Sequence, residues 1–520
     1  MASVLDLGSL PADVRALVEA ERAARQALER EVAALAERNT RLEHLVREFQ
    51  KALHGRSSER LSADERQLAF EDLETAVAEA ETAKAAASRP PRAPAPARRN
   101  LGRLPQELPR IERVIEPSSM SCPCGCGAMT RIGEDRSERL DIVPAQFRVI
   151  VTVRPRYACR TCAGAVVQAP APAHLIEGAL PTEAMIAHVL VSKYADHMPL
   201  YRQAQAYARS GLDLHRATLA DWVGKAAFHL QPVVDRMAEH LKRSSKLFLD
   251  ETTAPVLDPG RGKTKTGYLW ALARDDRRWG GGDPPGVVYV YAPGRGTDHA
   301  EAVLRGFTGI LQVDGYAAYK TLARRHRPEG SLILAHCWAH GRRQLRELFD
   351  RDGSAVAEEG LRRIAELYTI EADLKGRPPE TRRAARQERA KPLVEAFGVW
   401  LAGCRVRLSA KSRAGEKLAY FANHWDGLCV YLEDGRVEID SNAVENTIRP
   451  IALGRKNALF AGHDEGGRAW GRIASLIETA KMNRVEPFAY LTATLRALAN
   501  GHPQSRLDEL LPWAFRPTSS

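Results

Sequence analysis

Apolar residues recur every seven positions in the N-terminal part of the chain, from about Arg25 to Leu53. One set occupies the d positions, Leu28, Leu35, Leu42 and Phe49, and the other the a positions, Val32, Asn39, Val46 and Leu53. This heptad pattern predicts a parallel two-stranded coiled coil whose register is set by the polar Asn39. We therefore expect a homodimer or a higher homo-oligomer. A long amphipathic helix that packs on its own chain is the alternative.

A second helical pattern runs from Pro181 to Leu241, after a Pro/Ala/Arg segment, SRPPRAPAPARRN, that is typical of a semi-rigid linker. Within it, the segment PLYRQAQAYARSGLDLHRATLADWVGKA predicts two helices joined by a turn at Gly211, as in a helix-turn-helix. Three residues of the second helix would face the core: Leu219, Trp222 and Val223. Four others would face a DNA groove: His215, Arg216, Thr218 and Lys225. Helical pairs with a glycine turn also occur in proteins that never bind DNA.

The pattern changes to short apolar runs between Lys246 and about Asp350. The runs KLFLD, GYLWALA and GVVYVYA predict three consecutive strands. A helix near His299 to Gly306, the strand GILQVD, and the strand and helix of SLILAHCWAH follow. This order is that of a ribonuclease-H-like α/β sheet. The charged helical stretch from Asp350 to about Ala419 would be an insertion in that domain.

Length and charge narrow the class of protein. A chain of 520 residues is too long for one core and indicates about three to four domains. Its 76 Lys and Arg against 65 Asp and Glu give a net charge of +11, which favours a polyanionic partner such as double-stranded DNA. No apolar run is long enough for a membrane span, and the N-terminus lacks the basic segment of a signal peptide. We expect a cytoplasmic protein.

Five of the 8 cysteines lie between Cys122 and Cys162. In a reducing compartment such crowding indicates a metal site rather than disulfides. Cys159 and Cys162 form one C-x-x-C pair, and the second pair would be Cys122 with Cys126 or Cys124 with Cys126. Two such pairs predict one structural Zn²⁺. Reduced cysteines in a small β unit are the alternative.

Three acidic residues are candidates for catalysis. Asp250 and Asp314 each end an apolar run and precede a polar turn, so their side chains would emerge at strand ends. Glu445 lies in a stretch with a helical pattern. Carboxylates that converge from different elements can hold two divalent ions, and oxygen ligands select Mg²⁺ or Mn²⁺. We predict that these three acids are the catalytic metal ligands, although each alone could be a surface residue or a helix cap.

Six segments of the chain are, in order, PLYRQAQAYARSG, LDET, QVDGYAAY, AHCWAHGRR, EIDSNAVENTIRP and LDELLPWAF. Together they resemble the transposases of the bacterial insertion-sequence sixty-six family, which are DDE transposases. The resemblance covers nearly the whole chain and implies a multidomain α+β protein. The N-terminal parts would be a helical coiled-coil region at 1–86, a Pro/Arg-rich linker at 87–110 and a zinc-binding module at 111–172. A helix-turn-helix domain at 173–243 would follow. The last parts would be a ribonuclease-H-like catalytic domain at 244–480, with a helical insertion at about 350–419, and a short helical C-terminal domain at 481–520. The family's first zinc pair has C-x-x-C spacing, which Cys122, Cys124 and Cys126 do not have.

The same resemblance implies a DNA transposase that binds the ends of an insertion sequence. Metal-assisted hydrolysis at the end of the element would free a 3′-OH, which would then attack target DNA. Asp250 would bridge two Mg²⁺ or Mn²⁺ ions, and Asp314 and Glu445 would each complete the ligands of one ion. Accessory proteins of the same element are further expected partners.

Other residues near the third acid have expected supporting roles. Asp440 and Asn442 would orient the metal ligands. Arg449 would face the scissile phosphate or pair with the catalytic glutamate. Arg455 and Lys456 in LGRKNALFAG would contact backbone phosphates or form a solvated basic face.

Cys337 and His340 form a C-x-x-H pair, but no complementary pair stands nearby in the sequence. Packing or support of a ligand loop is therefore a better interpretation than a second zinc site.

Two other functions of the protein remain open. A zinc-containing helix-turn-helix regulator would leave the three acids and the sheet unexplained, whereas a ribonuclease-H-like nuclease without strand transfer fits nearly as well.

Overall fold

The computed structural model describes residues 146–158, 166–258 and 263–516. The chain divides between Gln146 and Phe147 into two units, and nearly all the described residues belong to the second. The predicted coiled coil and the linker lie outside the described residues, as do the five clustered cysteines, Cys122, Cys124, Cys126, Cys159 and Cys162.

A strand-rich segment of the described residues lies between two long helical segments. The strands are β1 (Arg156–Ala158), β2 (Val166–Gln168), β3 (Lys246–Asp258), β4 (Lys263–Arg274), β5 (Gly286–Ala292), β6 (Gly309–Val313) and β7 (Leu332–His336). The helices are α1 (Glu183–Tyr194), α2 (Leu200–Arg209), α3 (Arg216–Lys242), α4 (Thr297–Leu304), α5 (Ala317–Arg324), α6 (Trp338–Asp352), α7 (Ala355–Leu374), α8 (Pro379–Ala385), α9 (Lys391–Arg407), α10 (Arg413–Glu433), α11 (Asn442–Asn457), α12 (Asp464–Met482) and α13 (Pro487–Ala499). A π-helical segment, Arg386–Ala390, joins α8 to α9, and short 3₁₀ segments are Arg277–Trp279, Gln504–Leu510 and Pro512–Ala514.

The central sheet has the strand order β5-β4-β3-β6-β7. β3, β4 and β5 pair antiparallel, and β6 adds in parallel between β3 and β7. The predicted succession of three strands, a helix, a strand, and a further strand and helix is confirmed, with α5 as an additional helix between β6 and β7. β1 and β2 form a separate antiparallel pair.

β3 is longer than the sequence predicted. It was expected to end at Asp250, but it continues to Asp258 because its antiparallel pairing with β4 extends from Phe248 to Asp258. Beyond Asp250 the burial alternates along the strand, which is the pattern of a half-buried strand rather than a turn. Asp250 therefore lies inside a strand, and the prediction that it emerges at a strand end is wrong.

Helices cover both faces of the sheet. Leu247 and Leu249 of β3 face a core that also contains residues of α1, α3 and α13 and of the C-terminal 3₁₀ segments. Phe248, on the opposite face, packs with Val444 and Ile448 of α11. The alternation of side chains along a strand thus assigns α11 to one face and the predicted helix-turn-helix to the other.

The free edge of β5 is covered by α12. Thr479 accepts a hydrogen bond from the amide of Val287 and donates one to its carbonyl, each over 3.0 Å. Ser475 accepts from the amide of Tyr289 over 2.8 Å. Gly471 permits this approach, since a Cβ there would lie 2.6 Å from the carbonyl oxygen of Tyr289. The helix therefore satisfies backbone groups that an edge strand otherwise exposes.

The helices after β7 pack around a further hydrophobic core, which also contains Ile310 and Ala335 of the sheet. The predicted end of the insertion near Ala419 falls inside α10, which continues to Glu433. The reason is that Leu418, Phe421 and Leu428 of α10 all pack in the same core as Trp338. None of the described helices is both long enough and apolar enough to span a membrane.

Candidate active site

Asp250 and Asp314 occupy matching positions on neighbouring strands. In the parallel pair of β3 and β6, Phe248 lies opposite Gln312. Two residues further along each chain are Asp250 and Asp314, so both side chains are on the same face of the sheet. Parallel pairing stops at Phe248, and Asp314 follows the last residue of β6. The placement of Asp314 directly after a strand is as predicted.

The turn after β6 orients the carboxylate of Asp314. Its Oδ1 accepts a hydrogen bond from the amide of Tyr316 over 2.8 Å. The intervening Gly315 packs tightly, since a Cβ there would lie 2.8 Å from the ring of Tyr420 and 2.9 Å from Nε2 of His424. The sequence VDGY thus turns sharply under α10 and holds one carboxylate oxygen in place.

Glu445 approaches the same face of the sheet from α11. It lies in the first turn of that helix, where the partial positive charge of the helix N-terminus stabilises a carboxylate. Its neighbours Val444 and Ile448 are buried against the sheet, which holds the helix in position. Ser441 donates a hydrogen bond to Oε1 of Glu445 over 2.7 Å. The helix and the hydroxyl together orient the third acid.

The electrostatics of Asp250 show that the acids are close enough to interact. Burial raises the pKa of Asp250 well above its ordinary value, and the negative charges of Asp314, Glu251 and Glu445 raise that pKa further. The nearby His340 opposes this shift. Carboxylates crowded in this way carry an electrostatic cost that a divalent cation would relieve. The structure therefore brings the three sequence-predicted acids into one region.

Cys337 and His340 lie beside Glu445, a proximity that sequence reasoning missed. Cys337 follows β7 and precedes α6, and His340 lies in the first turn of α6. Nδ1 of His340 is 3.7 Å from Oε1 of Glu445, and ligand atoms of the three residues all lie within 4.8 Å of one another. Burial and the charges of Glu445 and Asp440 raise the pKa of the Cys337 thiol to about 12. The C-x-x-H spacing was the available signal, but its complement comes from a distant part of the chain.

A buried acid on the opposite face of the sheet was also missed. The side chain of Glu251 is fully buried and accepts hydrogen bonds from Arg295 and from the hydroxyl of Tyr319. The Arg295 guanidinium lies 4.0 Å from the ring centroid of Tyr316, whose hydroxyl donates to the Arg295 carbonyl over 2.7 Å. Since the amide of Tyr316 holds Asp314, these contacts connect Glu251 to the turn that carries the second acid.

The residues expected to orient the ligands lie around the start of α11. Asp440 is buried, and burial raises its pKa to about 6 while the nearby Arg278 lowers it. Its Oδ1 accepts from the amide of Asn442 over 3.2 Å and from Arg278 over 3.3 Å. Arg449 lies one helical turn after Glu445 and is half-buried. Arg278 is an addition to the predicted set.

A cavity borders this part of the site. It is lined by side chains that include Arg277, Arg278, Lys375 and Lys481, together with Asn446 of α11. Acidic neighbours balance part of this charge, since Arg277 pairs with Asp275 over 2.6 Å and Lys481 with Glu478 over 2.9 Å. The cavity presents several cationic side chains beside α11.

The predicted DNA-contacting residues of the helix-turn-helix lie on the outer side of α3. His215, Arg216 and Lys225 are exposed and Thr218 is half-buried. Leu219, Trp222 and Val223 are buried, as predicted. The side chain of His215 caps α3 by accepting from the amide of Ala217, and Lys225 pairs with Asp221 over 2.8 Å. The turn at Gly211 between α2 and α3 is also as predicted.

Arg455 and Lys456 lie near the end of α11. Lys456 is exposed, whereas Arg455 is half-buried and donates to the carbonyl of Thr253 over 2.9 Å. Arg455 thus connects α11 to the distal half of β3.

Comparisons with known proteins agree with the predicted resemblance along the chain. Residues 178–469 match the model described as Transposase IS66 family, and residues 119–163 match the zinc-finger binding domain of transposase IS66. Residues 475–513 match the IS66 C-terminal element, and residues 41–113 match a model described as Transposase C of IS166 homeodomain.

Relatives of similar length occur in Sinorhizobium fredii. The uncharacterized protein y4qI is 44% identical, and the match covers 99% of this chain and 99% of that protein. The uncharacterized protein y4jD is 44% identical over 81% of this chain and 83% of its own length. The uncharacterized protein y4hP is 35% identical over 92% of this chain and 89% of its own length. The similarity therefore extends over most of each chain.

Proposed function

The chain belongs to the insertion-sequence sixty-six (IS66) family of transposases, and from this premise we propose that it binds the ends of an insertion sequence and catalyses metal-dependent strand cleavage and strand transfer. One observation carries the proposal. The pairing of Phe248 with Gln312 puts Asp250 and Asp314 side by side, on the sheet face that the helix of Glu445 covers. Such convergence from three elements is what a two-metal site requires.

The catalytic domain would be ribonuclease-H-like. The support is the strand order β5-β4-β3-β6-β7, with three antiparallel strands followed by two parallel ones. The first acid lies on the first of these strands in sequence and the second acid follows the fourth. The helix-turn-helix domain at 173–243 and the C-terminal domain at 481–520 would flank the catalytic domain, and their described parts share one hydrophobic core with the sheet.

The three acids fit Mg²⁺ or Mn²⁺ because carboxylate oxygens are the ligands these ions prefer. When bound, two such ions would activate water and balance the charge that develops on the phosphate. The chain orients each carboxylate through one oxygen. The amide of Glu251 donates to Asp250 over 2.7 Å, the amide of Tyr316 to Asp314, and the hydroxyl of Ser441 to Glu445. These hydrogen bonds restrict rotation of the side chains that would hold the ions.

Two groups of cationic residues would bind DNA. The outer side of α3 would enter a groove with Arg216 and Lys225, and His215 and Thr218 would lie next to them. The cavity beside α11 would hold backbone phosphates through Arg277, Arg278 and Lys375. The zinc module and the coiled coil, which lie outside the described residues, would carry one structural Zn²⁺ and dimerise the chain so that two DNA ends meet. Accessory proteins of the element could join this assembly.

Purified full-length protein, incubated with Mg²⁺ and labelled DNA that carries both ends of the element, tests the proposal. We expect nicked ends and joined products. Asp314→Asn should abolish both and retain DNA binding in a gel-shift assay, because Asp314 would hold metal rather than DNA. Asp298→Asn is the matched control, since Asp298 is exposed on α4 and pairs only weakly with Arg325.

The products distinguish the alternatives. Binding without any cleavage would indicate a regulator and overturn the proposed activity. Cleavage without joining would indicate a nuclease. An Asp314→Asn protein that cuts as fast as the parent would remove Asp314 from the metal site.

A further inference from the structure

We propose that Cys337, His340 and Glu445 form a binding site for one transition-metal ion of the zinc class, distinct in ligand chemistry from the all-oxygen magnesium site but sharing Glu445 with it. The ligand atoms of the three residues lie within 4.8 Å of one another. They come from the residue after β7, the first turn of α6 and the first turn of α11. The site brings together a sulfur, a nitrogen and an oxygen donor.

The separation of the nitrogen and oxygen donors is close to that of tetrahedral coordination. With zinc bonds of roughly 2.0–2.3 Å, neighbouring ligand atoms in a tetrahedron are roughly 3.3–3.6 Å apart. The observed separation of His340 Nδ1 and Glu445 Oε1 is 3.7 Å. Three protein ligands would leave the fourth position for water or another exchangeable ligand. Mg²⁺ does not favour sulfur or nitrogen donors, so the set selects a softer ion.

Hydrogen bonds from a neighbouring residue orient the donor atoms of this site. The amide of Ser441 donates to Sγ of Cys337 over 3.2 Å, and the hydroxyl of the same residue donates to Glu445. One residue thus orients two of the three donors, which is the role of outer hydrogen bonds at metal sites. The remaining oxygen of Glu445, Oε2, lies 3.9 Å from the guanidinium of Arg343.

His340 supplies an independent observation. Its Nδ1 is buried and makes no hydrogen bond to any described residue, although a buried ring nitrogen without a partner is costly. A bound metal ion would satisfy this atom. A direct contact between His340 and Glu445 without metal is the competing explanation, and it predicts no cobalt binding through these residues. The thiolate and the carboxylate together would neutralise a divalent ion.

Cobalt binding to the full-length protein tests the site without DNA or turnover. The protein is first dialysed against a mild chelator, which should leave zinc only in the zinc module, and Co²⁺ is then added in the presence of excess Mg²⁺, which fills the all-oxygen site, so that Co²⁺ should bind one further site. A thiolate-to-cobalt charge-transfer absorption should appear, and the metal content should rise by about one equivalent per chain. His340→Ala should weaken this binding at least about tenfold, as the loss of one ligand requires.

Cysteine variants identify the donor. Cys337→Ser should abolish the charge-transfer absorption, whereas Cys404→Ser should retain it, because Cys404 is equally buried but packs in the core of the helical insertion. Thermal melts of each variant check folding, and the His340→Ala arm tests the site without altering a buried thiol. An absorption that persists unchanged in Cys337→Ser, or no cobalt binding beyond the zinc module, would overturn the inference.

The inference rests on the proposed function only in the sharing of Glu445. Protein that binds cobalt through Cys337 but cuts no DNA would keep the transition-metal site and reject the proposed activity. Protein that cuts DNA and shows no thiolate–cobalt absorption would keep the proposed activity and reject the transition-metal site. The two failures are therefore distinguishable.

Discussion

Ser441 and Glu445 are joined by a hydrogen bond of 2.7 Å from the serine hydroxyl to Oε1 of the carboxylate. Ser441 precedes the first residue of α11, a position at which serine usually caps the helix, yet its hydroxyl makes no capping bond here. It is buried and holds a side chain one turn ahead. The local role of a helix-capping residue has thus been replaced by a role in orienting the candidate metal ligand.

Ser441→Ala should lower the rate of Mg²⁺-dependent cleavage by roughly tenfold to a hundredfold, because outer hydrogen bonds of this kind orient metal ligands. DNA binding should be unchanged. Ser441→Thr keeps the hydroxyl and is the control. Cleavage rates at saturating Mg²⁺ measure the effect, and an alanine variant with the parental rate would show that the helix alone orients Glu445.

Asp250→Asn should raise the melting temperature in the presence of a chelator at neutral pH. The native pKa of Asp250 is raised, so at a pH between its ordinary and its native pKa the folded state holds a proton that the unfolded state has already lost. Stability therefore falls as the pH rises from the ordinary aspartate pKa through the native one, and the neutral amide removes that loss. Thermal melts across this range measure it, with Asp298→Asn as control. Mg²⁺ should stabilise the parent more than Asp250→Asn, and equal stabilisation would contradict metal binding at this acid.

Glu251→Gln should reduce cleavage without removing a proposed metal ligand. The change weakens the contacts to Arg295 and Tyr319, so the turn that carries Asp314 should be held less firmly. We expect a loss of stability of about 1–3 kcal/mol and a higher Mg²⁺ concentration for half-maximal cleavage. Glu301→Gln, which alters an exposed pair with Arg325, is the control. An unchanged Mg²⁺ dependence would limit Glu251 to a structural role.

Thr479→Val should destabilise the protein by about 1–3 kcal/mol, because it leaves the amide and carbonyl of Val287 without their helix partner in a buried position. Valine is close to threonine in shape, so packing is retained. Thr321→Val is a suitable control, since the hydroxyl of Thr321 is exposed and bonds only within its own helix. Denaturant unfolding measures the free energy of unfolding of both variants. A Thr479→Val protein as stable as the parent would show that the contact of α12 with the β5 edge contributes little to stability.

Cys159→Ser or Cys162→Ser should remove one tightly bound zinc ion, since structural zinc contributes on the order of 10 kcal/mol to small folds. Elemental analysis of the purified chain gives the metal content directly. Cys429→Ser, in α10, is the control. A chain that holds no zinc and melts identically in chelator would refute the zinc module.

The local sequence determined most elements and the placement of Asp314. The run GILQV forms β6 and the aspartate follows it, because the change from apolar to polar residues coincides with the end of pairing. The buried side of α3 was also readable, since Leu219, Trp222 and Val223 repeat at helical spacing.

Only the tertiary structure decided which of these residues meet. The local pattern suggested that β3 ends at Asp250, but the partner strand β4 extends it. The matching positions of Asp250 and Asp314 depend on the register with β6. His340 reaches Glu445 although the helical insertion separates them in sequence. Apolar periodicity reports how each segment is buried, whereas the convergence of side chains depends on strand register and helix packing, which are set by contacts between residues far apart in the chain.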